Sequence, residues 1–506
     1  MGHNDRSGQH TGLNVADLGF GCEPCEGGIT RPIIKLVGLD FGTTTSSALI
    51  VEACTRSDSH GGRREIHELG EPYRSDIVFT PFVGDRIDEP RIAAMIDTWL
   101  AAAGARPDEI AGGGAIITGL CARRANAAGL TALIRERIGD AVIATADDPG
   151  LESFLAFMGG AAAVSRAHPG VPLLNLDIGG GTTNLALGVD GEVLHVGSLF
   201  VGARHVEVEP GTYRVTTLSD HAHRLFAALG ISTRPGDTLS PAELAAVLEF
   251  QVGLLEAAVG GHGDRFESSD LARAHVDLPF HCPQTTSPPW LTITGGVGVL
   301  VHALRAGHPP PPTTVYGDLG VDLAARILAS PVLSARLLVP EGGGRATAYG
   351  LLRSLTRLSG STLYLPRPEL LPLADLPIFG RLTAASTPAQ ITATLALIRR
   401  SARGGCVVVA LEHPTAAIVK AVAGRIGQAI RELNFPASLP LVLLVRDNVG
   451  KALGGYVTDW GRLPVTLIVL DEVDPRGARF VQIGRLHDQV VPVSFHGMGL
   501  HDGDER

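Results

Sequence analysis

The chain has 506 residues and a formal net charge of −10 at pH 7, and its length allows about three domains of ordinary size. The acidic balance and the lack of a basic cluster argue against nucleic acid as a partner. No apolar run reaches the roughly 18 residues that a membrane helix needs, so no membrane partner is expected. Six scattered cysteines and the absence of a signal-like N-terminus predict a protein of a reducing, cytoplasmic compartment.

The first 30 residues are rich in glycine, histidine, asparagine and aspartate and lack a sustained apolar period. This composition predicts a flexible N-terminal tail. The tail contains Cys22 and Cys25 in a single Cys-x-x-Cys motif. Because no second cysteine pair or spaced histidine pair accompanies the motif, an incidental pair is favoured over a zinc or redox site.

From Ile33 onward, short runs of valine, isoleucine and leucine alternate with alanine-rich stretches, which is typical of an α/β fold. Two helix starts carry capping-box signals, Ser240 with Glu243 and Thr387 with Gln390. The C-terminal part contains three strand-like runs, CVVVAL, PLVLLV and VTLIVL, with a helix-like repeat of isoleucine and valine every fourth residue between the first two. This pattern predicts a covered sheet near the C-terminus.

Two segments of the chain resemble each other. The first is LVGLDFGTTTSSALIV and the second is LLNLDIGGGTTNLALGVDGEV. Each reads as an apolar strand, an Asp-x-Gly turn with small residues, and a second strand. A duplicated domain that faces its copy across a cleft would produce this repeat.

The two turns suit a phosphate, because small residues allow a ligand to approach backbone N–H groups and hydroxyls closely. Phosphate contacts are therefore predicted for the residues of both turns: Gly42, Thr43, Thr44, Thr45, Gly179, Gly180, Gly181 and Thr182. Asp40 and Asp177 would lie near the phosphates, where a carboxylate is costly without a cation. We therefore expect both to bind Mg²⁺ and to act in catalysis. One such hairpin alone would be compatible with an ordinary tight turn.

Two further segments complete a resemblance to the actin, Hsp70 and sugar-kinase ATPase superfamily. DDPGLESFLAFMGGAAAV is similar to its first connecting helix, which implies that Glu152 positions the attacking water. LTITGGVGVLV resembles its adenosine loop, which implies nucleotide contacts from Gly295 and Gly296, and Gly320 is expected where the second connecting helix starts. The alternatives are a solvated helix-start acid at Glu152 and a plain strand-to-helix turn at the glycine pair. A Walker-type P-loop is excluded, because the segment around Lys451 lacks the first glycine and the metal-binding hydroxyl.

The superfamily resemblance implies an α/β protein with duplicated actin/Hsp70-like (ribonuclease H-like) ATPase domains around a nucleotide cleft and a C-terminal α/β extension. The expected parts are a tail over 1–30, a first ATPase subdomain over 31–170, a second over 171–330 with a helical insert at about 218–285, and a C-terminal region over 331–506. The glycine-rich segment 341–350 is expected to be a loop.

Seven segments spread over nearly the whole chain after residue 33 carry a more specific resemblance. They are LVGLDFGTTTSSALI, AIITGLCARRANAAGL, NLDIGGGTTNLAL, LSGSTL, PRPELLPL, NVGKALG and LDEVDPRGARFVQIGRLHDQVVPVSF. With them the chain resembles the EutA family, the ethanolamine ammonia-lyase reactivating factors of bacterial ethanolamine utilisation. The last segment is the most specific, since nucleotide chemistry does not require it. One departure is Leu120, which follows Thr118 and Gly119 where the family pattern has an acid. No catalytic role is therefore assigned to Leu120.

The family resemblance implies ATP and ADP binding with Mg²⁺, and ATPase activity in the service of chaperone-like reactivation. The implied partner is ethanolamine ammonia-lyase, which the factor opens so that damaged cobalamin leaves and intact adenosylcobalamin, the lyase's own cofactor, enters. Two other classes stay open: an actin-like structural or regulatory ATPase, and a small-molecule kinase of the same superfamily. Homo-oligomerisation, a companion subunit and association with an ethanolamine microcompartment are also left open.

Overall fold

The computed structural model describes residues 33–57, 64–83, 86–118, 126–139, 143–146, 148–282, 288–340, 343–352, 356–359, 362–401, 403–475, 477–486 and 490–498. The expected tail with Cys22 and Cys25 lies outside the described residues, as do Gly119 and Leu120. The described residues form a mixed α/β fold, as the sequence predicts, around three large sheets. No helix among them combines the length and apolar character that crossing a bilayer requires.

The first sheet is formed by the beginning of the described chain. Its elements are β1 (Ile34–Phe41), β2 (Thr45–Ser57), β3 (Arg64–Arg74), β4 (Val78–Phe79), β5 (Phe82–Val83), β6 (Arg86–Ile87), α1 (Glu89–Ala102), β7 (Ile110–Ile117), α2 (Ala127–Ile138) and β8 (Ile143–Ala146), with a 3-10 turn at Pro107–Glu109. The strand order is β3-β2-β1-β7-β8, with β4 beside β2 and a separate β5-β6 hairpin. One face of β1 packs on α1 and α2 and the other on a later helix, which explains why β1 is apolar along its length.

The second sheet is formed by the middle of the chain. Its elements are α3 (Pro149–Gly160), α4 (Ala162–Ala167), β9 (Leu173–Ile178), β10 (Thr183–Val189), β11 (Glu192–Leu199), β12 (Val206–Val208), β13 (Val215–Leu218), α5 (Asp220–Leu229), α6 (Pro241–Val259), α7 (Gly263–Ser268), α8 (Asp270–Arg273), β14 (Val276–Leu278), β15 (Trp290–Thr294), α9 (Gly295–Arg305), α10 (Gly320–Ala329), α11 (Pro331–Ser334) and β16 (Leu337–Leu338). The strand order is β14-β11-β10-β9-β15-β16, and β12 pairs with β13 apart from it. Helices α5 to α8 form an insertion, and the predicted capping box of Ser240 and Glu243 begins α6.

The first two sheets share one topology. In each, three consecutive strands form antiparallel pairs, and the next two strands add in parallel on the other side of the first. β9, β10, β11, β15 and β16 thus correspond to β1, β2, β3, β7 and β8. This internal repeat confirms the duplicated fold that the superfamily resemblance implied.

The second sheet continues past residue 330, where the sequence suggested a boundary, because β16 pairs with β15. The described part of the segment 341–350 has regular secondary structure, which the sequence did not predict. A 3-10 turn at Gly343–Arg345 leads into α12 (Ala346–Gly350), which packs against α3 and β1. The expectation that 341–350 is a loop is therefore wrong for its helical part. Its small residues allow the helix to lie close to neighbouring backbone.

The third sheet is formed by the C-terminal part of the chain. Its elements are β17 (Thr356–Leu358), β18 (Leu373–Thr383), α13 (Pro388–Arg400), β19 (Gly405–Ala410), α14 (Ala416–Glu432), β20 (Pro440–Val445), α15 (Gly450–Val457), β21 (Thr466–Leu470), β22 (Ala478–Ile483) and β23 (Pro492–Met498), with a 3-10 turn at Pro368–Leu370. The strand order is β17-β23-β22-β18-β19-β20-β21, and the last four strands run parallel. The three strand-like runs form β19, β20 and β21, and the fourfold repeat forms α14, which confirms the predicted covered sheet.

An ion-pair cluster joins the third sheet to the first. Arg135 on α2 pairs with Asp375 on β18 at 2.9 Å, and His496 on β23 lies 3.2 Å from the same carboxylate. The nearby His496 ring and then the charge of Arg135 hold the pKa of Asp375 below its usual value, although burial opposes this. On its other side, the third sheet faces β11 across a cavity of about 1260 Å³ at the carboxyl ends of β19 and β20.

Candidate functional site

The first Asp-x-Gly turn joins β1 to β2. The N–H of Gly42 donates to the carbonyl of Thr45 at 2.9 Å and closes the turn. Thr80 supports the turn with two hydrogen bonds. Its N–H donates to the Thr44 carbonyl oxygen at 3.0 Å, and its hydroxyl donates to the Gly42 carbonyl oxygen at 2.7 Å. Two carbonyls of the turn are thus held by Thr80, a residue that the sequence did not single out.

The second Asp-x-Gly turn joins β9 to β10 and is closed in the same way, by the N–H of Gly179 donating to the carbonyl of Thr182 at 3.0 Å. The carbonyls of its three glycines accept hydrogen bonds from residues 203–205. The donors, at 3.1, 2.6 and 2.8 Å in chain order, are the N–H of Ala203, the N–H of Arg204 and the ring Nε2 of His205. In a trans peptide the C=O and N–H groups point in opposite directions. The N–H groups of Gly180, Gly181 and Thr182 therefore face away from residues 203–205. An anion-binding turn has this arrangement.

The two turns touch each other. A Cβ added to Gly180 would come within 2.1 Å of the Thr44 hydroxyl oxygen, so only glycine allows this approach. That hydroxyl oxygen is buried and has no hydrogen-bond partner within the described part of the chain. A buried polar atom without a partner costs free energy. A phosphate oxygen bound between the turns would supply the missing partner.

Asp40 and Asp177 lie at the ends of β1 and β9 and interact electrostatically. Burial, and then the charge of Asp177, raise the pKa of Asp40 to about 7, although a 3.4 Å hydrogen bond from Thr118 opposes the shift. Burial likewise raises the pKa of Asp177, against a 2.6 Å hydrogen bond from the hydroxyl of Thr294. Asp177 is buried and Asp40 is partly buried, and two carboxylates that repel each other in such a site are stabilised by a proton or by a cation.

Mg²⁺ fits this pair of carboxylates. The ion commonly takes one or two carboxylates and fills its remaining positions with water and phosphate oxygens. Across the residues that the structure describes, no group of three or more histidine, cysteine or acidic side chains could hold a metal ion. A cation between Asp40 and Asp177 would therefore depend on phosphate and water for its other ligands.

A polar network behind Asp177 fixes the orientation of Thr294. The amide nitrogen of Asn175 donates to the Thr294 hydroxyl oxygen at 3.1 Å, and the hydroxyl of Thr292 donates to the Asn175 amide oxygen at 2.9 Å. The Thr294 hydroxyl is left to donate to the carboxylate. All three residues are buried.

The three glycines that the superfamily resemblance singled out lie at helix starts. Gly295 has φ +79°, and a Cβ there would come within 2.5 Å of the Ile178 carbonyl oxygen, so α9 begins directly against the second turn. Nothing lies within 4 Å of a Cβ added to Gly296. Gly320 begins α10, where its N–H donates to the buried Asp318 carboxylate at 2.9 Å. Nucleotide contacts from these glycines stay a prediction.

Glu152 lies in the first turn of α3. Asp148 caps this helix by accepting a hydrogen bond from the N–H of Leu151 at 3.0 Å. Glu152 is only 8% exposed, so the alternative of a solvated acid is wrong. Its role in positioning water stays a prediction.

Comparison with known proteins decides the relationship of the chain. The family model described as "Ethanolamine utilisation protein EutA" matches residues 33–501. The chain belongs to the EutA family. It is 28% identical over 480 residues to the ethanolamine ammonia-lyase reactivase EutA of Escherichia coli K12, covering 93% of this chain and 99% of that protein. The EutA reactivase of Salmonella typhimurium LT2 is also 28% identical, over 491 residues, with the same two shares covered.

Two solved structures are similar at lower identity. An exopolyphosphatase from Cytophaga hutchinsonii is 15% identical, with 63% of this chain and 96% of that chain covered and a TM-score of 0.37. The ethanolamine utilization protein EutJ from Carboxydothermus hydrogenoformans is 14% identical, with 63% and 90% covered and a TM-score of 0.28.

In this EutA-family chain, the helix that crosses α3 is α12 and not the one that begins at Gly320. A Cβ on Gly159 would come within 1.9 Å of the Ala346 carbonyl oxygen, and one on Gly350 within 2.2 Å of the Leu155 carbonyl oxygen. The two backbones thus touch through glycine on both helices. The spacing of Ala346 and Gly350, four residues apart within ATAYG, is the signal that could have identified this crossing.

Proposed function

We propose that the chain is an ATP-dependent reactivating factor for ethanolamine ammonia-lyase. The observation that supports this most strongly is the contact between two Asp-x-Gly turns beside the carboxylates of Asp40 and Asp177, in a chain whose curated relatives are named reactivases of that lyase. In this proposal the factor opens the lyase, damaged cobalamin leaves, and intact adenosylcobalamin binds. The proposed partner places the factor in the bacterial cytoplasm, alone or with an ethanolamine microcompartment.

ATP would bind between the turns, with its terminal phosphates against Thr43, Thr44 and Thr45 on one side and the backbone N–H groups of the second turn on the other. Asp40 and Asp177 would hold Mg²⁺, which supplies charge neutralisation of the phosphate oxygens. Gly296, which has open space beside it, would leave room for the adenosine, and Gly295 and Gly320 would contact the nucleotide through their backbone.

Glu152 would orient the attacking water. The water oxygen bonds to the γ-phosphorus, one water proton passes to an oxygen of the new phosphate, the bond from that phosphorus to the bridging oxygen breaks, and ADP and inorganic phosphate are released. The protein needs no other chemistry for this role, because the energy of the cycle is used to change conformation.

The conformational output follows from how the sheets are joined. We propose that the first two sheets with their helices are the ATPase subdomains, so a nucleotide that contacts both turns sets their relative position. The third sheet is attached to the first through Arg135 and Asp375, and it faces the second across the cavity beside β11. Movement of the second sheet relative to the first would therefore change the width of this cavity.

A factor with two such states can act on the lyase by population shift, provided that the open lyase binds one state better than the other. We assign lyase recognition to the third sheet. It includes the segment LDEVDPRGARFVQIGRLHDQVVPVSF, which the chemistry of the nucleotide cleft does not need.

The test is reactivation of ethanolamine ammonia-lyase that has been inactivated with cyanocobalamin. Purified chain is added with Mg²⁺, ATP and fresh adenosylcobalamin, and deamination of ethanolamine is followed. Restored turnover that requires ATP supports the proposal. A chain that hydrolyses ATP but restores nothing would instead be a structural ATPase, and transfer of the phosphoryl group to a small molecule would identify a kinase.

A further inference from the structure

We infer that His205 and Ser219 form a hydrogen-bonded relay that couples the second turn to helix α5 of the insertion. The inference rests on the proposed nucleotide site, and it adds a positioning residue and a responding element to it. Both residues lie outside the two Asp-x-Gly segments. His205 is 3% exposed, so its ring is shielded from solvent and contacts other protein groups.

The relay consists of three consecutive hydrogen bonds. His205 Nε2 lies 2.8 Å from the Gly181 carbonyl oxygen, and Nδ1 of the same ring lies 2.8 Å from the Ser219 hydroxyl oxygen. Ser219 is the N-cap of α5, where its hydroxyl oxygen accepts from the N–H of Ala222 at 3.1 Å. The backbone reinforces the link, since the N–H of Ser219 donates to the His205 carbonyl at 2.9 Å.

The direction of each hydrogen bond follows from the charge state of the ring. Burial, and then the nearby His221 ring, lower the pKa of His205 to about 3, so the imidazole is neutral at physiological pH. A neutral imidazole has one donor and one acceptor. The Gly181 carbonyl can only accept, so the proton is on Nε2. Nδ1 must then accept from the Ser219 hydroxyl, whose remaining lone pair accepts from Ala222.

His205 thereby orients one particular peptide of the turn. The Gly181 carbonyl belongs to the peptide that carries the N–H of Thr182, and these two groups point in opposite directions. The carbonyls of Gly179 and Gly180 are held by backbone N–H groups instead. Of the three outward-facing N–H groups, that of Thr182 is therefore the one whose direction depends on a side chain.

The first turn of α5 is also packed against this ring. His221, the second residue of the helix, meets the His205 ring edge-on with 5.5 Å between ring centroids and stacks on Phe200 at 4.0 Å. It also meets His275, next to α8, edge-on at 5.5 Å. A rotation of the Gly181 peptide would displace the His205 ring, and the ring is packed on the first residues of α5. The start of α5 is therefore positioned to respond when a phosphate binds at the turn.

Hydrogen exchange of the full-length chain tests the relay. Exchange is followed by mass spectrometry in peptides that cover 177–184 and 219–229, without nucleotide and with saturating Mg·ATP or Mg·ADP. We expect protection of both segments in the wild type. In Ser219→Ala, protection of 177–184 should persist, whereas the nucleotide-dependent change in 219–229 should disappear. Ser219→Thr keeps a hydroxyl and should retain the nucleotide-dependent change in 219–229.

Two further variants separate loss of the relay from loss of a helix cap. His205→Leu keeps the Ser219 cap of α5 and breaks the relay, so it should abolish the nucleotide-dependent change in 219–229 as Ser219→Ala does. Ser240→Ala tests whether the loss of a cap elsewhere in the insertion changes that response. Ser240 caps α6 in the same way, by accepting from the N–H of Glu243, and is exposed. Ser240→Ala should leave the response of 219–229 to nucleotide unchanged. His205→Leu removes the donor to Gly181 and should weaken ATP binding by about tenfold, the scale of one lost hydrogen bond to a buried carbonyl.

The outcomes distinguish the two proposals. If nucleotide protects neither segment in the wild type, the proposed nucleotide site is wrong. If 177–184 is protected while 219–229 never responds, or if Ser219→Ala responds like the wild type, the site stands and the relay is wrong.

Discussion

Gly180 in the second turn lies against Thr44 in the first, so closely that a Cβ on the glycine would come within 2.1 Å of the threonine hydroxyl oxygen. The two copies of the duplicated hairpin therefore meet directly. Whatever binds between them contacts both halves of the repeat at once. The contact between the two turns depends on this absence of a side chain.

Gly180→Ala should weaken ATP binding because the added methyl group forces the turns apart. Overpacking of this kind costs about 1–3 kcal/mol, which corresponds to roughly a tenfold loss of affinity or more. Isothermal titration with Mg·ATP measures the change. Gly424→Ala is the control: nothing lies within 4 Å of a Cβ there, so affinity should not change. Wild-type affinity in Gly180→Ala would contradict the contact between the turns.

The repeated Asp-x-Gly hairpin is a local feature, which is why the sequence was sufficient to predict the two turns. Each turn is a contiguous segment whose Asp-x-Gly pattern specifies its own conformation, and the capping boxes at Ser240 and Thr387 are equally local. The groups that support the turns were missed, because Thr80 and His205 act on Gly42 and Gly181 from distant positions in the chain. Their types are common in unrelated contexts.

The crossing of α3 by α12 was also missed, for a different reason. The superfamily resemblance placed the start of the second connecting helix at Gly320, which begins α10. The structure inserts α10, α11 and β16 before the helix that crosses. The distances at Gly159 and Gly350 identify α12 as the crossing helix. The small residues of ATAYG are a weak signal by themselves, because they do not say which helix they meet.

Glu152→Gln should lower ATP turnover by about tenfold or more with little change in ATP affinity, because orienting water acts on the transition state. Single-turnover hydrolysis and equilibrium binding separate the two quantities. Glu136→Gln is the control, since its side chain is 80% exposed on α2, and it should have no effect. A loss of binding with unchanged turnover would make Glu152 a structural residue.

Asp40→Asn should stabilise the nucleotide-free, Mg²⁺-free protein at pH 8. Asp40 has a pKa raised from 3.8 to about 7, so the folded chain binds a proton more tightly than the unfolded chain does. Folding stability then falls as pH rises from about 4 to about 7. The asparagine removes this loss of folding stability, which is about 4 kcal/mol for a shift of this size.

Chemical unfolding of both proteins at pH 5 and pH 8 measures this effect. The advantage of Asp40→Asn should be large at pH 8 and small at pH 5, and Mg·ADP should stabilise the wild type more than the variant. An advantage independent of pH would contradict the assignment of the shift to Asp40.

Arg135→Ala should weaken the attachment of the third sheet and with it reactivation, while ATP affinity is retained. The loss of stability should be about 1–2 kcal/mol, since the pair with Asp375 is largely buried. Because the pKa of Asp375 is lowered, its contribution is present above the usual value and is lost as the pH falls. Arg326→Ala, which breaks the exposed pair with Glu249, is the control and should change little. Equal effects of the two variants would contradict this role.

The most direct test of the central claim is the recovery of turnover by cyanocobalamin-inactivated ethanolamine ammonia-lyase in the presence of the full-length chain, Mg·ATP and adenosylcobalamin. The wild type should restore deamination, whereas Asp40→Ala and Asp177→Ala, both folded by circular dichroism, should neither hydrolyse ATP nor restore it. Recovery by both variants at the wild-type rate, or no recovery by a wild type that hydrolyses ATP, would contradict the account.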